Sequence, residues 1–273
     1  MKKIGMIVPT LDNSFFSELA VAVQKELRMK DVQTYIVNSG NDAATELEYM
    51  KQFRGAGMDG ILSVSALQEL PKDAAGDLPL VWIDRIPASE TPVPYVANDD
   101  RNAMELAAEC LISKGCKHIL FLTGFVKDNQ NSPRLEGYKA ALEKHGIPYE
   151  ERYVQRREGK RPTETETGEL AVKMIKSGLP VDGIITSSER AAFGAARALQ
   201  KIEYFVPEDI RLICFDNSPF SAMTSPSLTT LDRKADEMAK TACDLVLRLA
   251  AGEKDVPVEN IVHVELIERG STR

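Results

Sequence analysis

The chain spells out the same sequence of elements twice, and that internal repetition limits the folds open to it more than any other feature. Residues 4–8 are a short apolar run. Asp12, Asn13 and Ser14 then offer helix caps, and Phe16, Leu19, Val23 and Leu27 follow at helical spacing. About 115 residues later the run recurs over 119–123. There Ser132 offers the cap, Pro133 takes the favoured first helical position, and Leu135, Tyr138 and Leu142 form a buried stripe that stops at Gly146. A second pair matches more closely still. A helix over 47–53 leads through Gly57 into Asp59-Gly60-Ile61-Leu62-Ser63, and one over 170–175 leads through Gly178 into Asp182-Gly183-Ile184-Ile185-Thr186. Third strands over 79–83 and 210–215 each close on a carboxylate, Asp84 and Asp216. Strands alternating with helices of this length make parallel sheets flanked by helices, so two such sets predict an α/β fold of two similar doubly wound parallel-sheet lobes.

Two elements remain after the repeat is assigned. A helix over 233–251 carries Met238, Ala242, Leu245 and Leu249 on one face, and a last strand over 261–267 returns to the other lobe. The chain is then expected to cross between lobes near Gly115, Asp232 and Gly252, which makes a three-segment hinge. That places residues 1–112 plus 232–252 in an N-terminal, dimerising lobe and 113–231 plus 253–273 in a C-terminal lobe. Open parallel sheets take ligands beyond the carboxyl ends of their strands. A small-molecule cleft between the two lobes is therefore expected.

Composition narrows the function. With 34 Lys and Arg against 41 Asp and Glu the net charge is -7, so these residues supply no basic field to grip a phosphate backbone. Cys110, Cys116, Cys214 and Cys243 show no C-x-x-C spacing, which fits a reducing cytoplasm and a role as small buried hydrophobes. Lys2 and Lys3 before an apolar run resemble a signal peptide only superficially, because Pro9 interrupts the run and no small-residue cleavage site follows. No stretch is long and apolar enough to span a membrane. The glycine-rich dinucleotide and P-loop fingerprints, the zincin motif, paired C-x-x-C and the G-x-S-x-G elbow are all missing. His118, His145 and His263 have no catalytic partner at readable spacing, and no cofactor is expected. An enzyme reading would rest on Asp99, Asp216 and Glu189 as acid–base groups without a metal motif or nucleophile.

Taken together, the motifs resemble the LacI/GalR type of bacterial transcription regulators, in particular their effector-binding core of periplasmic-binding-protein type. The resemblance runs end to end. It is carried by Val8-Pro9 with Asn13-Ser14-Phe15-Phe16, by Asp59-Gly60-Ile61, by Trp82-Ile83-Asp84-Arg85, and by Asn98-Asp99-Asp100. It continues through Ser132-Pro133-Arg134 with Glu136-Gly137-Tyr138, Phe215-Asp216, Pro226-Ser227-Leu228-Thr229-Thr230 and Glu268-Arg269-Gly270-Ser271-Thr272. The family implies a non-enzymatic, cytoplasmic homodimer that binds a small sugar-like effector between its lobes and reaches operator DNA only through a helix-turn-helix headpiece. That headpiece is expected to be missing here, because the first core strand begins at Ile4. The rival reading is the solute receptor of a sugar-uptake transporter, which shares the fold.

The resemblance also singles out side chains. It implies effector contact for Arg134, whose positive charge in the first turn of a helix opposes the helix dipole, and for Asp216 at a strand end. Asp99 and Asp100 either face the effector or cap the helix starting near Asn102. Of Phe15 and Phe16, one is expected to face the cleft and the other to pack. Asp84 and Arg85 more readily hold their loop to its own lobe, and Ser63, Ser65, Ser187 and Ser188 are hydroxyl candidates by position alone. Two departures stand out. Ser188-Glu189-Arg190 replaces the family's usual Asn-Asp, and Arg161-Pro162-Thr163 stands where many members place an aromatic platform. Arg134, Arg190 and Arg161 together point to an anionic effector, a sugar phosphate or sugar acid.

Overall fold

The structure is a computed structural model that describes residues 1–123, 132–155 and 163–273. It forms two compact units, Met1–Asn98 with Lys234–Val262, and Asp99–Arg233 with His263–Arg273.

The first unit holds strands β1 (Lys3–Val8), β2 (Gln33–Asn38), β3 (Gly60–Ser63), β4 (Leu80–Ile83) and β5 (Tyr95–Asn98), with helices α1 (Ser14–Arg28) and α2 (Ala43–Gly55). The second takes α3 (Asp100–Ser113), β6 (Ile119–Leu122), α4 (Pro133–Lys144), β7 (Val154–Gln155) and α5 (Glu164–Lys176). It continues with β8 (Gly183–Thr186), α6 (Glu189–Gln200), β9 (Arg211–Asp216), α7 (Pro219–Met223) and β10 (Thr229–Asp232). Helix α8 (Ala235–Leu249) and β11 (Glu259–Val262) return to the first unit, and β12 (Glu265–Ile267) to the second.

Each unit is built on a six-stranded sheet, in the order β11-β5-β4-β3-β1-β2 and β12-β10-β9-β8-β6-β7. The two orders correspond strand for strand, so the repeat read in the sequence is a repeat of topology. Pairing is parallel throughout except where β12 runs antiparallel to β10. Parallel strands are covered on both faces, which is why β3, β4, β6 and β8 are short runs with every residue buried.

In the first unit α1 and α8 cover one face of the sheet through Phe16, Leu19, Val23, Met238, Ala242 and Val246, and α2 covers the other through Met50 and Phe53. In the second, α3 and α4 cover one face and α5 and α6 the other. The helices pack closely where glycine permits it. A Cβ on Gly137 of α4 would collide with the Arg101 carbonyl oxygen of α3, and one on Gly194 of α6 with that of Glu164 in α5.

The units divide at other residues than the spacing suggests. Residues 100–112 were expected in the first lobe, yet α3 buries Ala103, Met104, Ala107 and Leu111 in the core of the second, against α4. Residues 253–262 were expected in the second lobe, yet β11 pairs with β5 of the first. The single last strand is two strands, broken at His263 and Val264 where the chain leaves one unit for the other. A symmetry explains this. The helix after the fifth strand of each half, α3 after β5 and α8 after β10, packs in the other unit.

Candidate functional site

The carboxyl ends of the strands in each unit are where the sequence places its candidates, and the two units treat them differently. In the first unit α1 begins just beyond β1, capped by Asn13, whose Oδ1 accepts from the Phe16 N–H at 3.3 Å. That cap fixes Phe15 and Phe16 in the first turn. Their rings meet edge to face at 5.4 Å, the Arg85 guanidinium lies 5.3 Å from the Phe16 centroid, and both rings are only 1% exposed. The expected division of labour, one ring outward and one packed, is not what their exposure shows: both join the core.

The hydroxyls after β3 are also engaged. Ser63 Oγ donates to Glu46 Oε1 at 2.8 Å, and Ser65 Oγ and the Ala66 N–H donate to Glu46 Oε2 at 3.1 and 2.6 Å. Glu46 is fully buried in the first turn of α2. Both its oxygens are spent on holding this loop. Sequence reasoning passed over Glu46, although it continues the stripe of Met50 and Phe53 at i, i+4 and i+7, and a carboxylate on an apolar stripe must find donors. After β4, Asp84 adopts φ 68° and lies 4.0 Å from Arg85, whose Nη1 donates to Asn41 Oδ1 at 2.6 Å. These two hold the loop within its own unit.

The second unit gathers charge. Ser132 caps α4, its Oγ accepting from the Leu135 N–H at 3.2 Å, and so sets Arg134 at the helix start. The Arg134 guanidinium lies 3.7 Å from the centroid of the Phe215 ring, and its Nη2 donates to Asp100 Oδ1 at 3.0 Å. The side chain is 19% exposed. Its Nε is buried and has no hydrogen-bond partner among the described residues. Asp99 is the cap of α3, accepting from the Asn102 N–H at 3.0 Å. Of the two acids it is Asp100 that meets Arg134.

One residue beyond Phe215, β9 ends at Asp216, buried and 3.8 Å from Arg233 Nη1. Arg233 is buried too, and nothing in its surroundings in the sequence marked it out. Asp216 and Asn217 have φ of 106° and 75°, and the next residue, Ser218, is held by the buried carboxylate of Glu189. The second unit thus brings Asp100, Arg134, Phe215, Asp216 and Arg233 to one edge of its sheet.

Ser188 and Arg190 make other contacts. Ser188 caps α6 through the Ala191 N–H, at 3.3 Å. Arg190, 46% exposed, donates to both Glu164 oxygens at 2.9 and 3.0 Å. The Glu164 carboxyl is held below the usual range, first by its own backbone N–H and then by Arg190. Arg190 thus ties α6 to α5. Arg161 lies outside the described residues. Among those residues no group of three or more His, Cys, Asp or Glu could hold a metal ion, and no helix is long and apolar enough to cross a membrane.

Two six-stranded, predominantly parallel sheets with matching order describe the fold that comparison with known proteins returns. The family model for a periplasmic binding protein-like domain matches residues 108–272. The chain belongs to that family. Within the periplasmic binding protein-like family it corresponds to the effector-binding core of LacI-type regulators. It is 26% identical over 280 residues to an "HTH-type transcriptional regulator" of Lachnoclostridium phytofermentans, which covers all of this chain and 82% of that protein. Among solved structures, the transcription regulator CcpA of Lactococcus lactis superposes with a TM-score of 0.89 at 25% identity, each chain covered completely. A periplasmic binding protein/LacI transcriptional regulator from Alkaliphilus metalliredigens, complexed with D-xylulofuranose, superposes with a TM-score of 0.85 at 25% identity, again over the whole of both chains.

Proposed function

We propose that the chain is the effector-sensing and dimerisation core of a cytoplasmic LacI-type transcription regulator that binds a small sugar-like molecule. The observation that carries this reading is the charged edge of the second unit. Arg134, stacked on Phe215 and paired with Asp100, offers planar donors. Asp216 beside Arg233 offers acceptors. Donors and acceptors side by side match the vicinal hydroxyls of a sugar ring. The match to regulators along the whole chain, one of them complexed with a sugar, agrees with it.

The effector's charge now hangs on fewer residues. Arg190 is occupied by Glu164, and Arg161 lies outside the described residues. A sugar acid or sugar phosphate would set its anionic group on Arg134 and displace Asp100. A neutral sugar would leave that pair in place.

Regulation follows from linkage. An effector shifts an equilibrium only by its difference in affinity between two arrangements of the protein. Coupling of about 1 to 3 kcal/mol is typical. Operator DNA would be touched through a helix-turn-helix headpiece, not by these two units.

Calorimetric titration with D-ribose, D-gluconate and ribose 5-phosphate tests the ligand class. Binding by at least one, weakened in Asp216→Asn, is expected; no binding by any of them refutes the sugar-like effector. The family's description also suits a solute receptor. Gel filtration separates the two, since a regulator core runs as a two-fold dimer and a receptor as a monomer.

A further inference from the structure

We infer that Glu189 and Arg269 are positioning residues for Asp216, an inference that rests on the reading of Asp216 as an effector contact. The argument starts from the backbone. Asp216 and Asn217 are consecutive non-glycine residues with φ of 106° and 75°, a region that glycine enters freely and side-chain-bearing residues rarely. A bend of this kind would ordinarily be built with glycine. Placing a carboxylate there means that the side chain is wanted at that point, and such a conformation persists only where its surroundings over-determine it.

Two braces do so, from elements far away in the sequence. Glu189, 2% exposed in the first turn of α6, accepts from both the Ser218 N–H and the Ser218 Oγ at 2.5 Å. Ser218 Oγ in turn accepts from the Phe220 N–H at 3.3 Å, so one carboxylate fixes the residue that closes the bend and opens α7. From the C-terminal segment, Arg269 Nη2 donates to Asn217 Oδ1 at 2.6 Å. Its Nη1 donates to the Leu228 carbonyl at 2.8 Å, to Thr230 Oγ1 at 3.0 Å and to Ser221 Oγ at 3.2 Å. Thr230 Oγ1 also donates to Asn217 Oδ1, at 2.9 Å.

The tail that carries Arg269 is itself anchored. The Thr229 N–H donates to Ser271 Oγ at 2.8 Å, and Ser271 Oγ donates to the Leu212 carbonyl at 2.6 Å. The bend is gripped at Asn217 by one charged side chain and at Ser218 by another. Asp216, the residue just before them, is then presented in one orientation.

The test uses Glu189→Gln and Arg269→Lys in the 273-residue chain, with Ser218→Ala as the milder variant should either fail to fold. Two quantities are read: amide hydrogen exchange over residues 214–220, and the dissociation constant for whichever of D-ribose, D-gluconate and ribose 5-phosphate binds the unaltered chain most tightly. Exchange over that segment is expected to rise about ten-fold or more while the rest of the second unit changes little, and affinity to fall about ten-fold. Unchanged exchange there, a uniform rise across the unit, or unaltered affinity overturns the positioning role. If none of the three probes binds, exchange alone decides. Asp216→Asn separates this inference from the reading beneath it. Affinity intact in Asp216→Asn removes the effector contact, whereas affinity lost in Asp216→Asn but kept in Glu189→Gln removes only the positioning.

Discussion

The two units share a strand order but use the carboxyl edges of their sheets in opposite ways. In the first, the candidate groups satisfy one another: Phe15 and Phe16 lie in the core, Ser63 and Ser65 are spent on Glu46, and Arg85 reaches Asn41. In the second, Arg134 stacks on Phe215 and pairs with Asp100, Asp216 at the next position lies beside Arg233, and the buried Arg134 Nε has no hydrogen-bond partner among the described residues. The connections differ as well. Unit two has α6 between β8 and β9, whereas unit one joins β3 to β4 by residues 64–79 without a helix, held by Glu46. Duplicated architecture thus leaves one copy with an edge whose groups satisfy one another and the other with a charged edge.

That contrast can be broken first at Glu46. Glu46→Ala orphans three donors at a buried site, and at about 1 to 3 kcal/mol for a buried group left without its partner, a loss of about 3 kcal/mol is expected. Urea unfolding measures it. A near-neutral result would mean that the first unit's edge is not internally held.

The second unit answers differently at Arg134. Arg134→Ala should leave urea stability little changed and weaken sugar binding by about 1.5 to 3 kcal/mol, roughly ten- to a hundred-fold, as expected for a hydrogen bond to a charged group. Calorimetry reads the affinity. Equal affinity in variant and unaltered chain would move recognition elsewhere.

A smaller effect is expected at the helix caps. Ser188→Ala removes the cap of α6 and should cost about 1 kcal/mol of stability, with no change in affinity beyond it, because Ser188 is structural in this arrangement. Arg190→Ala is the smallest. Its exposed pair with Glu164 is expected to be worth under about 1 kcal/mol, and sugar affinity should not move; a large loss of affinity would restore Arg190 to the site.

The cysteines give a check on both cores together. Burial pushes the Cys243 thiol of the first unit up to about 12, and those of Cys110 and Cys116 in the second up to about 11, from the ordinary 9.0; it also holds Cys214 well above that ordinary value. A raised thiol pKa favours folding while the unfolded thiols stay protonated. That stability is fully present below pH 9.0 and is lost as pH climbs through 11 and 12. Thermal melts should therefore fall steeply above pH 9.0, and a thiol reagent at neutral pH should label none of the four until denaturant is added. Rapid labelling of one cysteine in the native chain would place it outside a packed core.

The alternation of strands and helices was legible because short, fully buried parallel strands bounded by glycine and capping residues leave a clear pattern, as at Asp59-Gly60 and Asp182-Gly183. Which unit a helix joins was not. The apolar face of α3, with Ala103, Met104, Ala107 and Leu111, says that the helix is half-buried but not against what. The same ambiguity hid the break at His263, since an extended segment that changes sheets keeps the composition of one strand. Arg134 and Asp216 were singled out through the resemblance to known regulators, Arg134 also because its charge opposes the helix dipole; their pairing with Asp100 and Arg233 was not legible. The pairing of Arg190 with Glu164 was not legible, because Glu164 lies in another helix. Arg233, Arg269 and Glu46 escaped because their partners lie in other elements of the fold, and chain order shows no such pairing.

The measurement that bears most directly on the account is a calorimetric titration of the unaltered chain, Arg134→Ala and Ser63→Ala with the same sugar, the tightest binder among D-ribose, D-gluconate and ribose 5-phosphate. Recognition by the charged edge of the second unit predicts an affinity loss of roughly ten-fold or more in Arg134→Ala and none in Ser63→Ala. The reverse order, with Ser63→Ala losing affinity and Arg134→Ala keeping it, would contradict the account.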